Sequence, residues 1–305
     1  MDEARRQLRT VLVGTDFSMS ANLAVERAIK LPLAPGATVH LVHVVPAQVP
    51  ERLLASVQTN AKEALSEAAA TFEQVAKATD PSLSVASEIL EGHPHVELIR
   101  MARRVNAELV VVGRHGKHSL REKLLGSTTE RVVRHSEIPT LVVTSKKTSP
   151  YRCPMVAVDL ADDLAIIQGL VDLALMLIAP DADRLMLVHA FQAPFERRLR
   201  YLLGNSDLAE YRAEYKQEAI RALMKLRGDI VAPNVAVRTV LARGEPERSI
   251  VREASRRGAD LLVLGTHGRR GIAHALLGSV AEEVLRRATC DIAILRPRDV
   301  RFEEP

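Results

Sequence analysis

Short apolar runs alternate with longer amphipathic stretches along this chain. Thr10-Val-Leu-Val-Gly-Thr15 is one such run and ends on Asp16. A continuous apolar run of roughly four to eight residues suits a strand buried on both faces. Ser18 stands where a helix N-cap belongs, and Leu23, Ala24, Ala28, Ile29 and Leu31 follow at helical spacing until Pro32 to Gly36 stops them. Thr38 to Val45 reads as a second strand, the alanine-rich stretch Ala61 to Ala78 as a helix, and Leu83 to Leu90 as a third strand. Pro94 sits where a helix would begin, at a position whose missing N–H costs nothing, and that helix runs to about Val105. Ala107 to Val112 and Thr140 to Val143 complete five strands. Strands that alternate with helices predict parallel βαβ units with right-handed crossovers.

The pattern restarts after a short polar linker, Ser145-Lys-Lys-Thr-Ser-Pro150. Met155 to Val158, Arg184 to Ala190, Val235 to Leu241, Leu261 to Leu264 and Ile292 to Leu295 read as strands. Leu164 to Ile178, Leu208 to Leu226 and Pro246 to Arg257 read as helices, while Phe191 to Gly204 has no counterpart of equal length in the first half. Gly92-x-Pro94 recurs as Gly244-x-Pro246, an offset of 244 − 92 = 152, and Ala107-Glu108-Leu109 recurs as Ala259-Asp260-Leu261 at the same offset. Upstream, Asp16 matches Asp159 at an offset of 143 and His43 matches His189 at 146. A period this long marks a duplicated domain, not a solenoid. The length of 305 residues agrees, and the expected domains are 1–147 and 151–300.

Candidate chemistry lies in a repeated glycine pattern. Gly113-Arg114-His115-Gly116 is followed after nine residues by Gly126-Ser127-Thr128, and Gly265-Thr266-His267-Gly268 after nine residues by Gly278-Ser279-Val280. Each copy lies between an apolar run and a helical stretch. Glycines there let backbone amides approach an anion, and the open first turn and dipole of the next helix add to the attraction. A tight strand-to-helix turn would also use glycine, but two copies with one spacing favour a phosphate cradle. Open parallel sheets bind ligands beyond the carboxyl ends of their strands. Asp16, Val44 and Gly113 stand at such ends in the first half, and Asp159, Ala190 and Gly265 in the second. An acid, an apolar backbone edge and a phosphate cradle converging on one crevice describe a nucleotide site.

Composition narrows the ligand. The net charge is +4, aromatic residues make up 3% and Trp is absent, so a stacking platform for single-stranded nucleic acid is not expected. Cys153 and Cys290 form no CxxC pair and read as thiols buried in a reducing compartment. Met1 to Arg9 is charged, and the longest apolar stretch, Leu170 to Ala179, contains Asp172. No membrane span is expected, and the protein is expected in the cytoplasm. No GxSxG, Walker or dinucleotide glycine signature is present, and no nucleophile–base pair stands out. His93, His95, His115 and His118 match no zinc spacing, so a metal remains an open question. Lys117, Arg121, Arg269 and Arg270, inside the spacers, could neutralise phosphate charge or simply be solvated.

Thr15-Asp16-Phe17-Ser18, Leu41-Val-His-Val44, Gly92-x-Pro94 and the glycine pattern through Thr128 in the first half have partners in the second. These are Val158-Asp159, Leu187-Val-His-Ala190, Gly244-x-Pro246 and the glycine pattern through Ser279. On these motifs each half resembles a universal stress protein domain, and the chain resembles a tandem member of the ATP-binding type. The resemblance implies two Rossmann-like α/β domains, each a five-stranded parallel sheet in the order 3-2-1-4-5 with helices on both faces. It implies ATP, with or without Mg²⁺, as the ligand. Asp16, beside Thr15, would hold polar edges of ribose or adenine, and Val44 would meet adenine through its backbone. Gly113, Gly116, Gly126, Ser127 and Thr128, with Arg114 and His115 in the same loop, would cradle the ribose-phosphate. The second set is Asp159, Ala190, Gly265, Gly268, Gly278, Ser279 and Val280. There Asp159-Leu-Ala-Asp162-Asp163 replaces Asp16-Phe-Ser-Met-Ser20. The added acids would repel phosphates or help hold Mg²⁺, so the first site is expected to be the tighter. The resemblance implies an ATP-binding stress-response regulator, the alternative being a slow ATP-hydrolysing or nucleotidyl-transferring enzyme. The free edges of the two fifth strands are expected to pair across a pseudo-two-fold axis, giving an intramolecular dimer tethered by the linker. A further homodimer of the whole chain would need another surface.

Overall fold

Val11, Leu12 and Val13 are buried, as are Leu109 to Val112, and their side chains alternate between the two sides of a sheet. In the computed structural model, which describes residues 6–116, 125–147, 149–266 and 277–296, these runs form two central strands. The first half comprises β1 (Leu8–Gly14), α1 (Met19–Ile29), β2 (Leu33–Pro46), α2 (Glu51–Thr79), β3 (Ser84–Gly92), α3 (Pro94–Arg104), β4 (Leu109–Gly113), α4 (Ser127–His135) and β5 (Thr140–Val143). The second comprises β6 (Pro154–Ala157), α5 (Leu164–Leu177), β7 (Arg184–Phe191), α6 (Glu196–Leu199), α7 (Asn205–Asp229), β8 (Ala236–Arg243), α8 (Pro246–Arg256), β9 (Leu261–Gly265), α9 (Ser279–Arg287) and β10 (Asp291–Leu295).

The strands form one ten-stranded sheet in the order β3-β2-β1-β4-β5-β10-β9-β6-β7-β8. Each half has the order 3-2-1-4-5 expected from the sequence and is parallel throughout. The halves meet where β5 and β10 pair antiparallel, with Val142 opposite Ile292 and Leu141 opposite Ala293. Val11, Val13, Leu141 and Val143 join one apolar core with Ile167 and Val171 of α5, and Leu12, Val110 and Val142 join the other with Val132 of α4 and Leu285 of α9. Both cores run through both halves. Among the described residues no helix is long and apolar enough to cross a membrane.

Several boundaries differ from the pattern in the sequence. Helix α2 begins at Glu51, ten residues before Ala61, because its first turns carry none of its buried residues; those are Ala61, Leu65, Phe72 and Ala76. Strand β2 begins at Leu33, where the register with β1 shifts between Leu8 and Thr10 and Gly36 takes a φ of 75°. A turn signal at Pro35-Gly36 thus marks an irregularity inside a strand. The unmatched stretch after β7 contains the short α6. Cys290 is buried, and burial followed by the Asp291 carboxylate pushes its thiol up to about 12. Cys153 is only half-buried.

The expected polar linker is held by a buried cluster. Asp291, with 0% exposure, receives the Thr144 and Ser145 amides on Oδ1, both at 2.7 Å. Its Oδ2 receives Arg27 Nε at 2.8 Å and the Tyr151 hydroxyl at 2.6 Å. Arg27, 2% exposed, lies with its guanidinium carbon 4.2 Å from the Tyr151 ring centroid and donates to the carbonyls of Ser149 and Lys147. Burial, then the neighbouring carboxylate, pushes the Tyr151 phenol well above its ordinary value, so it remains a donor.

Removing one partner of a buried, hydrogen-bonded ion pair leaves the other charge stranded, at about 3–5 kcal/mol. Asp291→Ala is therefore expected to lower the unfolding free energy by an amount of that order, seen as a lower midpoint of guanidinium unfolding. An unchanged midpoint would refute this role. Val142 is fully buried in the seam, and Val142→Lys is expected to part the halves and raise the radius of gyration in small-angle scattering. A variant as compact and stable as the parent would show that the seam does not hold them together.

Candidate functional site

The first crevice starts where β1 ends. The Thr15 amide bonds the Val42 carbonyl at 2.9 Å, which carries the β1–β2 ladder one residue beyond β1. Asp16 then turns the chain: its Oδ1 accepts the Ser18 amide at 3.0 Å, and Phe17 takes the left-handed φ of 60°. That conformation is uncommon for a bulky residue. The Phe17 ring lies 4.5 Å from the His43 ring, and His43 Nδ1 bonds the Thr15 carbonyl at 2.8 Å. Ser18 caps α1 through a 3.1 Å bond from the Ala21 amide, as its place in the sequence predicted.

The glycine loop packs against this turn. A Cβ on Gly113 would stand 2.5 Å from the Ser20 carbonyl oxygen, so the first turn of α1 itself requires glycine there. A Cβ on Gly116 would stand 2.9 Å from Asp16 Oδ2, which places the acid against the loop. The His115 amide donates to Ser20 Oγ at 3.1 Å. The Gly126 amide donates to the Arg114 carbonyl at 2.9 Å, and Thr129 Oγ1 to the Gly113 carbonyl at 2.6 Å. These two bonds strap the start of α4 to the loop. Gly126 is the N-cap and brings no side-chain cap. Ser127, Thr128 and Thr129 therefore open the helix with amides that make no i→i−4 bond, beside the loop that ends β4. Val44, in β2, is buried.

Arg114 departs from the role expected for it. Its side chain is 7% exposed and donates to the carbonyls of Ala288, at 3.0 Å, and Arg286, at the carboxyl end of α9 in the other half. Its backbone stays in the loop, but its guanidinium is committed elsewhere. Burial lowers the pKa of Arg114. From the second half, Arg296 donates to the Arg134 carbonyl of α4 at 3.1 Å. Each of these two helices thus ends under an arginine from the opposite half, where the dipole favours a cation.

The second crevice keeps the same backbone frame. His189 Nδ1 bonds the Val158 carbonyl at 3.0 Å, and the Gly278 amide bonds the Thr266 carbonyl at 2.8 Å. Gly278 is again an N-cap without a side-chain cap. Asp159 Oδ1 accepts the Ala161 amide at 3.1 Å. A cavity of about 980 Å³ opens here, and Asp159, Ala190, Gly265, Gly278, Ser279 and Val280 all line it. Asp162 lines it too, whereas Asp163 is the exposed N-cap of α5. Gly268 lies outside the described residues, as do Lys117, His118, Arg121, His267, Arg269 and Arg270.

The sequence reading missed Glu247, Tyr215 and Phe191, which also line this cavity. Ser279 Oγ donates to Glu247 Oε1 at 3.1 Å. Glu247 directly follows the proline of Gly244-x-Pro246, so that motif carried its signal. The motif's glycine has a backbone reason: Gly92 and Gly244 take φ values of 143° and 117°, which L side chains rarely adopt.

Two doubly wound α/β halves fused edge to edge, each with a glycine-loop crevice at its strand ends, define a tandem α/β crevice protein. A model of the universal stress protein family matches residues 7–144 and again 155–296, and the chain belongs to that family. It is 28% identical over 306 residues to a universal stress protein of Mycolicibacterium smegmatis, covering 94% of this chain and 97% of the relative. It is 27% identical over 314 residues to universal stress protein Rv2005c of Mycobacterium tuberculosis, covering 97% and 99%. The crystal structure of a universal stress protein from Archaeoglobus fulgidus superposes with a TM-score of 0.68 at 19% identity, covering 96% of this chain and 100% of that one. That last likeness bears on the fold.

Two outcomes are expected from this geometry. Arg114→Met removes hydrogen bonds from a buried charged donor, each of about 1.5–3 kcal/mol; calorimetry should register a lower melting temperature, and an unchanged one would contradict the role at α9. The second outcome concerns acid. Burial, then the Arg131 charge, holds His95 below 6.5, and burial, then Arg296 and Arg134, does the same to His135. Below pH 6.5 the unfolded chain therefore binds protons that the folded chain resists, so stability is full above that value and falls as pH falls through it. His95→Gln combined with His135→Gln should flatten that acid slope in urea titrations, and an undiminished slope would assign it to other groups.

Proposed function

We propose that the first crevice binds an adenine nucleotide, ATP with or without Mg²⁺, and that the chain acts as a nucleotide-responsive stress regulator in the cytoplasm. In this reading units 1–147 and 151–300 each carry one crevice. The observation that carries the proposal is the uncapped first turn of α4, held by Gly126 and Thr129 against the glycine loop and Asp16. A helix N-terminus offers amides and a positive dipole end to a phosphate, and a nearby carboxylate can accept from ribose hydroxyls. Gly113, Gly116, Gly126, Ser127 and Thr128 serve the phosphate end, Asp16 the ribose, and the Val44 backbone the base. The membership in the family and the double glycine pattern support the same reading.

A Cβ at Gly126 would lie 3.2 Å from the Arg114 carbonyl oxygen, so Gly126→Val crowds the strap and fills the space before α4. Every charge-assisted hydrogen bond to phosphate that the valine prevents should weaken binding by about 1.5–3 kcal/mol. Titration calorimetry is expected to show ATP binding abolished at this crevice while circular dichroism remains that of the folded parent. Undiminished ATP affinity in the variant would defeat the assignment. Overnight incubation with labelled ATP should return the nucleotide intact, and steady release of phosphate would move the reading to a slow hydrolase.

A further inference from the structure

The stretch after β7 that the first half lacks carries apolar side chains on its outside. Phe195 is 70% exposed, Tyr201 88% and Leu202 79%. Phe195 takes a left-handed φ of 53°, uncommon for a bulky side chain and the kind of outlier that marks a functional segment. Its carbonyl accepts the Arg198 and Leu199 amides at 2.8 and 2.9 Å, and the Leu199 carbonyl accepts the Leu202 and Leu203 amides at 3.0 and 2.8 Å. The chain is thus helically coiled from Phe195 to Leu203. Phe195, Leu199 and Leu202 stand at i, i+4 and i+7, which sets them on one stripe. A stripe of that spacing usually faces a core, but both ends of this one face solvent.

The segment is fastened to the fold from behind. Ala193 is buried, and the Tyr211 hydroxyl donates to the Pro194 carbonyl at 2.8 Å. Arg212 of α7 reaches Glu196 at 2.6 Å, and Arg243 of β8 lies 3.9 Å from it. The stripe is therefore displayed on an anchored base, and binding through it has little chain left to order.

Charge indicates what covers it. Phe195 to Leu203 holds three arginines, Arg197, Arg198 and Arg200, and one acid, Glu196, the acid that Arg212 and Arg243 face. Arg198 and Arg200 are exposed. The next acids, Asp207 and Glu210, belong to α7, beyond the stripe. Apolar side chains beside arginines and a tyrosine suit the boundary between lipid headgroups and acyl chains. A standard protein interface takes about 20–30 residues a side, far more than this segment offers. A second copy related by a two-fold axis would set these arginines against each other. No described helix can cross a bilayer, so the contact is peripheral.

We propose that Phe195 to Leu203 is a peripheral anchor that lays the second half on an anionic lipid surface. Phe195 and Leu202 enter between the headgroups, Tyr201 sits at their level, and Arg198 and Arg200 meet lipid phosphates. An anchor this short holds weakly and reversibly, and its arginines select negative lipid. The contact is independent of whether either crevice holds a nucleotide.

The test sediments the full chain with vesicles of phosphatidylcholine alone and with vesicles of equal parts phosphatidylcholine and phosphatidylglycerol. Binding to the anionic vesicles should be tighter by at least about ten-fold and should fall steeply when salt is raised to about 0.5 M. Phe195→Ser combined with Leu202→Ser should weaken it by at least about ten-fold, and Arg198→Gln combined with Arg200→Gln by a similar factor. These side chains are exposed, so both pairs should keep the parent's circular dichroism. Met224, 60% exposed on α7, is the control, and Met224→Ser should leave binding unchanged. Equal affinity for neutral and anionic vesicles, binding to neither, undiminished binding in either pair, or an equal loss in Met224→Ser would overturn the proposal. Binding of a poly-glutamate peptide in place of vesicles would overturn it in favour of an acidic protein segment. A dimer in light scattering that the Phe195→Ser and Leu202→Ser pair dissolves, without vesicle binding, would overturn it in favour of self-association.

Discussion

A single buried carboxylate joins the two halves of this protein. Asp291 receives two backbone amides from the end of the first half, the Arg27 guanidinium and the Tyr151 hydroxyl. A carboxylate without solvent is tolerable only when its lone pairs are filled by donors, at least one of them charged. Those donors come from α1, from the chain after β5 and from the residue that opens the second half. The carboxylate can therefore be buried only when all three segments are in place. The linker is thereby a fixed part of the fold, and the β5–β10 register is set beside it.

The seam also brings the crevices into contact with the opposite half. Arg114 leaves the first glycine loop to end on α9, whose first residue lines the second cavity. Arg296 ends on α4, whose first turn borders the first crevice. The helix that follows the glycine loop in each half is thus held at its carboxyl end by the other half. An isolated half would leave those carbonyls and the buried Arg114 without these partners, so the duplicated chain is one structural unit.

Duplication preserved the backbone of the crevice more faithfully than its chemistry. The strap from the second glycine pair to the loop is 2.9 Å in one half and 2.8 Å in the other, and the histidine bond below the aspartate is 2.8 Å and 3.0 Å. These contacts use main-chain atoms or one histidine and survive substitution around them. Side chains around that frame diverged: Arg114 against Thr266, His95 against Glu247, Ser18 and Ser20 against Ala161 and Asp163.

Much of this fold was legible in the sequence because its signals are local. Buried parallel strands appear as unbroken apolar runs, Ser18 and Pro94 announce helix starts, and repeated glycines mark the strand-end loops. The offset of 152 exposed the duplication, and with it the strand order through the resemblance to a known family. The crevice backbone followed from the same motifs. What the sequence could not reveal depends on partners far along the chain. Arg114 read as a loop cation because its neighbours are glycines, yet its carbonyl acceptors lie more than 170 residues away. Asp291 stood just before the expected strand Ile292 to Leu295 and carried no signal of its own, and only folding surrounds it with donors. Glu247 fell inside the expected helix Pro246 to Arg257 without being singled out, and only the packing of α8 on α9 brings it to Ser279. Periodicity, caps and turns are set by neighbouring residues, so the chain alone determined them; charge placement and the joining of the halves were decided by tertiary packing, which sets the water and the partner each ion can reach.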